Sequence, residues 1–131
     1  MAKTDPKRKF IQLSKGELNY AMSRAVIQGD WCFVSGTMGY DYVKQELPES
    51  AAQQTMNTFT NIRKALDAAG FELGHVVRVQ YTVSDRKYVK EVLPIIKKHF
   101  DNILPAATMV LAEMVDPEGK IEIEVTCFKG A

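Results

Sequence analysis

Alternation of apolar and polar positions is clearest near the C-terminus. Over residues 120–128, Ile121, Ile123, Val125 and Cys127 fall on one side, and Glu122, Glu124, Thr126 and Phe128 on the other. A period of two is that of a half-buried β-strand. Residues 76–83 repeat it, with Val77, Val79, Tyr81 and Val83 opposite Arg78, Gln80 and Thr82. Ahead of that strand the period lengthens. Ala52, Met56, Phe59, Ile62, Leu66 and Ala69 recur at helical spacing, after Ser50 and Gln53 in capping-box register and before Gly70 as a left-handed stop. A second helical stripe, Val89, Val92, Leu93, Ile96 and Phe100, has Ser84 or Asp85 as its cap, and Pro94 inside it predicts a kink.

The remaining segments are shorter. Residues 9–13 read as a strand and Lys15-Gly16 as a turn. Gly29-Asp30 is a hairpin signal that pairs an extended stretch, residues 19–28, with a strand from Trp31 to Ser35 ended by Gly36. Pro105 closes an irregular link, and strands over residues 108–113 and 120–128 follow, joined by the turn Asp116-Pro117-Glu118-Gly119. The order β(β)βαβαββ predicts an α+β domain with two helices packed on one face of a sheet.

Composition narrows the class. The chain has 131 residues, 46% hydrophobic, a length expected to form one domain, with the first eight residues loose. Lys and Arg number 17 against 16 Asp and Glu, a net charge of +1. The basic excess or stripe of a nucleic-acid binder is absent. No apolar run approaches the roughly 18–20 residues of a membrane span, and the basic start lacks the apolar core of a secretory signal. A cytoplasmic protein without a membrane partner is expected. Cys32 and Cys127 lie in apolar and alternating stretches, the setting of buried reduced thiols. With His75 and His99 they form no metal-ligand spacing, so no metal is expected and both histidines read as structural.

Candidate chemistry lies on the strands. Glu122 or Glu124 on a sheet face can line a cleft and orient water, although a solvated acidic face accounts for the same pattern. If residues 19–28 are extended, Tyr20, Met22 and Arg24 share a face, and Arg24 offers a fork for a carboxylate. The turn Ser35-Gly36-Thr37 after a strand exposes backbone N–H groups that can meet an anion.

Four segments in order resemble one family. They are SRAV…GDWCFVSG at Ser23 to Gly36, ALDAAG at Ala65 to Gly70, HFDNILPA at His99 to Ala106, and KIEIEV at Lys120 to Val125. Together they are similar to the RidA (YjgF/YER057c/UK114) family, from about Tyr20 to Phe128. The resemblance implies a chorismate-mutase-like α+β fold assembled as a homotrimeric barrel, with ligand clefts between subunits. It implies hydrolysis of enamines and imines to a 2-keto acid and ammonia without a cofactor. By position, Glu122 corresponds to the glutamate that orients the attacking water, and Ser35 to the serine of the VSG motif. Ala107 stands where the family's deaminases carry the arginine that holds the substrate carboxylate, at the head of a strand that continues with Thr108. Met22 replaces their early tyrosine, with Tyr20 two residues away. Arg24 and Arg78 are the candidate substitute cations.

Two functions remain open from sequence. One is an imine or enamine hydrolase of altered specificity, with Glu122 catalytic and Ser35, Gly36, Thr37, Tyr20, Met22, Arg24, Ala107 and Thr108 around a small, carboxylate-bearing ligand. The other is a non-catalytic protein that binds or senses a small metabolite in the same clefts.

Overall fold

The computed structural model describes residues 5–130. Six strands form one sheet: β1 (Lys9–Ile11), β2 (Ala25–Gln28), β3 (Trp31–Met38), β4 (Val76–Val83), β5 (Ala106–Leu111) and β6 (Ile121–Phe128). Their spatial order is β1-β2-β3-β6-β4-β5. All neighbours are antiparallel except β4 and β5, which run parallel on either side of a helical crossover. The two last strands are therefore not partners, because β4 lies between them. Among the described residues three α-helices accompany the sheet: α1 (Lys15–Asn19), α2 (Ala51–Ala69) and α3 (Val89–Phe100). Alternation does the sorting. Ile121, Ile123, Val125 and Cys127 are buried beneath the helices with Val79, Tyr81 and Val83, while Glu122, Thr126 and Phe128 stand on the open face.

Several local expectations hold in part. Ser50 Oγ accepts from the Gln53 N–H at 3.0 Å, but the Gln53 amide turns to Asn57 instead of closing the capping box. Gly70 ends α2 with φ 79°. Asp85 caps, by accepting from Lys87 N–H, a single 3-10 turn that leads into α3, and α3 continues through Pro94. Residues 1–4 lie outside the described residues. Beyond them, Asp5 accepts from Lys7 N–H and Gln28 Nε2, so the following residues are tied to β2. Strand β5 starts at Ala106 instead of Thr108, and β3 runs past Gly36 to Met38. No helix of the described residues is long and apolar enough to cross a membrane.

The buried face of α2 departs from its apolar stripe. Met56 is exposed, whereas Gln54, Thr55, Thr58 and Asn61 are buried. Each polar group has a partner: the two threonine hydroxyls donate to carbonyls one turn back, and Asn61 Nδ2 donates to the Met38 and Tyr40 carbonyls. Gln54 donates to Pro48 O and Glu118 O and accepts from Lys120 N–H at 2.8 Å, binding α2 to the loop that precedes β6. Gln54→Leu strands those three backbone groups. It should cost about 2–4 kcal/mol, summed from net bonds lost and buried groups left unpaired, and urea unfolding measures it.

The open face carries an aromatic cluster. Trp31 stacks near Phe33 and Phe128, with ring centroids 6.2 and 4.7 Å apart, and all three rings are about half exposed.

Candidate functional site

The site grows from an irregularity in β3. Val34 pairs with Val125 and Thr37 with Ile123, so Ser35 and Gly36 together face the single residue Glu124. This is a β-bulge, which re-aims the side chains around it. Thr37 is thereby returned to the buried face, opposite Ile123, and Met38 lies opposite Glu122 on the open face. The backbone of β2 fixes the bulge: Ser35 N–H donates to Arg24 O, and the Ser35 hydroxyl donates to Ser23 O at 2.7 Å.

Glu122 lies over Gly36. A β-carbon built on Gly36 would sit 2.6 Å from Glu122 Oε1 and 2.7 Å from its Cδ. Glycine at 36 therefore leaves the room in which this carboxyl sits. Burial is the main cause that raises the Glu122 pKa, and the charge of Glu124 adds to it, while Arg24 acts in the opposite direction. A carboxyl whose pKa is raised by folding favours the protonated form. Its contribution is therefore full below the unfolded value and is lost as pH rises through the folded one. Glu122→Gln should accordingly gain stability relative to the native chain near neutral pH and lose that advantage in acid, a difference that unfolding curves at pH 4 and pH 7.5 measure.

Arg24 approaches the same bulge from the helix side. Its Nη1 donates to Gly36 O at 2.8 Å and to Thr37 Oγ1 at 3.0 Å. Of the two candidate substitute cations, it is the one at the bulge. Arg78 lies opposite Thr126 and Ala106, four residues along β4 from Thr82, the partner of Glu122.

The structure thus brings together Glu122, Ser35, Gly36, Thr37 and Arg24. It does not bring Tyr20 and Met22 onto a strand face with Arg24. Residues 20–24 precede the strand, because Tyr20 caps the end of α1, Ala21 takes a positive φ of 55°, and Met22 N–H bonds back to Glu17 O. Tyr20 is 81% exposed. Ala107 and Thr108 lie on edge strand β5, beyond β4 from Glu122; Thr108 shares a row with Gln80 and Glu124, whereas Ala107 is level with Val79. Sequence reasoning missed Glu17, Tyr42, Asn61 and Lys64, which with Arg24 and Thr37 line a pocket behind the bulge. Their only sequence signal was polarity, which reads as solvent exposure. His75 and His99 are engaged locally: Glu72 N–H donates to His75 Nδ1, and His99 stacks on Phe59 with centroids 4.0 Å apart. No cluster of three or more metal-ligating side chains occurs among the described residues.

Comparison with known proteins places this arrangement. The Endoribonuclease L-PSP family matches residues 17–128, from α1 to the end of β6. A solved member of the YjgF/YER057c/UK114 family from Mycobacterium tuberculosis superposes with a TM-score of 0.84 at 30% identity, over 94% of this chain and 100% of that one. The chain belongs to the RidA family. A rat RidA-family relative, 30% identical over 94% of this chain and 91% of its own, is a 2-iminobutanoate/2-iminopropanoate deaminase. The fold extends to the Escherichia coli protein TdcF, solved with bound serine, with a TM-score of 0.76 at 21% identity over 82% of this chain and 87% of that one. The mixed sheet and its helices are those of the RidA fold.

Proposed function

We propose that this RidA-family chain is a cofactor-free imine or enamine hydrolase of altered specificity. The observation that carries the reading is the Glu122 carboxyl seated over Gly36, half-buried and with a raised pKa on the open face of the sheet. A raised pKa brings a carboxylate base closer to the operating pH, which makes it a better proton carrier. In the reaction, the Glu122 carboxylate takes a proton from water as the oxygen attacks the imine carbon. The C=N π electrons move to nitrogen, which takes up the proton now held by Glu122. In the carbinolamine the hydroxyl proton passes through Glu122 to the amino nitrogen as the C–N bond breaks, releasing ammonia and leaving a carbonyl compound. Deaminase activity in the rat relative supports the same chemistry here.

Ala107 supports the altered specificity. Where the resemblance leads one to expect an arginine, this chain has a methyl group on an edge strand, and a charge-assisted bond to a substrate carboxylate contributes about 1.5–3 kcal/mol. Its loss weakens carboxylate binding by roughly one to two orders of magnitude. The same residue favours the second reading, a small-metabolite binder without turnover. The half-exposed cluster of Trp31, Phe33 and Phe128 supports assembly through the open face, as in the homotrimer we propose, with the clefts between subunits. The near-equal charge count favours a small molecule over RNA.

The test generates short-lived imines in the presence of the protein, using an amino-acid oxidase on a broad amino-acid panel, and follows carbonyl release. Acceleration is expected on at least part of the panel. None across the panel, with binding retained, establishes the second reading.

A further inference from the structure

The pocket behind the bulge lies on the other face of the sheet from Glu122. Thr37 pairs with buried Ile123, and Asn61 and Lys64 come from α2, whereas Glu122 alternates to the open face. The pocket encloses about 240 Å³ between Leu13, Glu17, Arg24, Thr37, Tyr42, Asn61 and Lys64. That is below the roughly 300–1,000 Å³ of sites for drug-sized ligands, and it suits a small metabolite.

Its charge is unbalanced. Arg24 spends Nη1 on Gly36 O and Thr37 Oγ1, while its Nε is buried without a partner. The one ion pair within 4 Å among the described residues is Lys97–Asp101, elsewhere on the surface, so Glu17 and Glu122 feel the Arg24 charge at longer range and neither is in contact with it. Glu17, 5% exposed, is the acid in the lining, but its oxygens are already used by Leu13 N–H, Ser14 N–H and the Ser14 hydroxyl. Asn61 Nδ2 is likewise committed to two carbonyls. Lys64 adds a second positive charge at the mouth, near Asp41. A partly desolvated cation with no carboxylate in contact is costly, and an anion that meets it recovers that cost. The Leu13 side chain and the Tyr42 ring supply apolar wall around the charged floor.

We infer that this pocket binds a small organic carboxylate, its head on Arg24 and Lys64 and its apolar body between Leu13 and Tyr42. The site is separate from the Glu122 reaction. Its occupant meets the arginine that holds the Gly36 carbonyl, so binding bears on the bulge from behind.

Benzoate titrated into the full chain, followed by backbone amide NMR, tests this. Saturable shifts are expected at Leu13, Thr37, Tyr42 and Asn61, with benzamide at least about tenfold weaker because the charge-assisted contact is gone. Lys64→Ala and Leu13→Ala, at exposed positions where folding is not at stake, should each weaken benzoate about two- to fivefold, the size of a solvent-exposed contact. Arg24→Gln should weaken it at least about tenfold. Glu122→Gln should not weaken it, which separates this site from the proposed hydrolase. The inference is overturned if benzoate gives no saturable shift, if benzamide binds equally, if neither exposed-site variant weakens binding, or if the shifts centre on Met38, Thr82 and Glu122.

Discussion

Gly39→Ala is expected to lower stability by about 3 kcal/mol or more, at the upper end of overpacking costs. A β-carbon at this position would lie 2.1 Å from the Gln54 carbonyl oxygen and 2.7 Å from Gln54 C and Cα. These are backbone atoms of α2, and they cannot swing aside as a side-chain tip can. The neighbourhood is also clamped. Asn57 Nδ2 donates to Gly39 O, Asn61 Nδ2 to Met38 O and Tyr40 O, and Thr58 Oγ1 to the same Gln54 oxygen. Room for the methyl requires α2 to leave β3 by more than an ångström, which strains the three bonds from Asn57 and Asn61 together. For a chain of this size the loss corresponds to a fall of roughly 10–15 °C in Tm, read by thermal unfolding.

Gly36→Ala should have the opposite profile: little change in stability and a large loss of function. The new methyl meets Glu122 Oε1, Cδ and Cγ, all atoms of a side chain with freedom to rotate. Gly36 is not among the glycines with positive φ, so its backbone accepts alanine without strain. The carboxyl must therefore move, and a stability change within about 1 kcal/mol is expected. The displacement needed is about an ångström, which can cost on the order of 10²-fold in rate where a catalytic group is misplaced. Imine hydrolysis should fall by that factor while urea unfolding barely shifts. Comparable losses of both would mean that Gly36 serves only packing.

How far the sequence reached depended on the range of the interactions. The faces of β6, and of β4 from Arg78 onward, follow from a period of two, which needs only neighbouring residues. A register shift at the start of β4 breaks it, exposing Val77 and burying Val76. The ends of α2 follow from Ser50 and Gly70, whose roles are equally local. The short α1 was hidden because Gly16 lies within it and five residues carry no periodic pattern. That omission moved Tyr20 and Met22 onto a strand that begins only at Ala25. Partnering across the sheet was not legible either: the parallel β4–β5 pair joins residues nearly thirty apart, and only packing decides it. The buried polar stripe Gln54, Thr55, Thr58 and Asn61 reads as a solvated face until the carbonyls it meets are placed. The family resemblance pointed to Glu122 and Ser35. It had no means of revealing the Gly36 bulge as the seat of the carboxyl, or the arginine pocket behind it.

The central claim is that Glu122, held over Gly36, moves the proton in imine hydrolysis. Carbonyl release from imines generated in situ, compared between the native chain and Glu122→Gln across pH, tests it most directly. The native rate should rise through a pKa above the ordinary carboxylate range, since the deprotonated base is the active form. Glu122→Gln should lose about 10²–10⁴-fold in rate and that pH step together, the typical contribution of a general base. An unchanged rate in Glu122→Gln, or the same pH profile in both proteins, would contradict the claim.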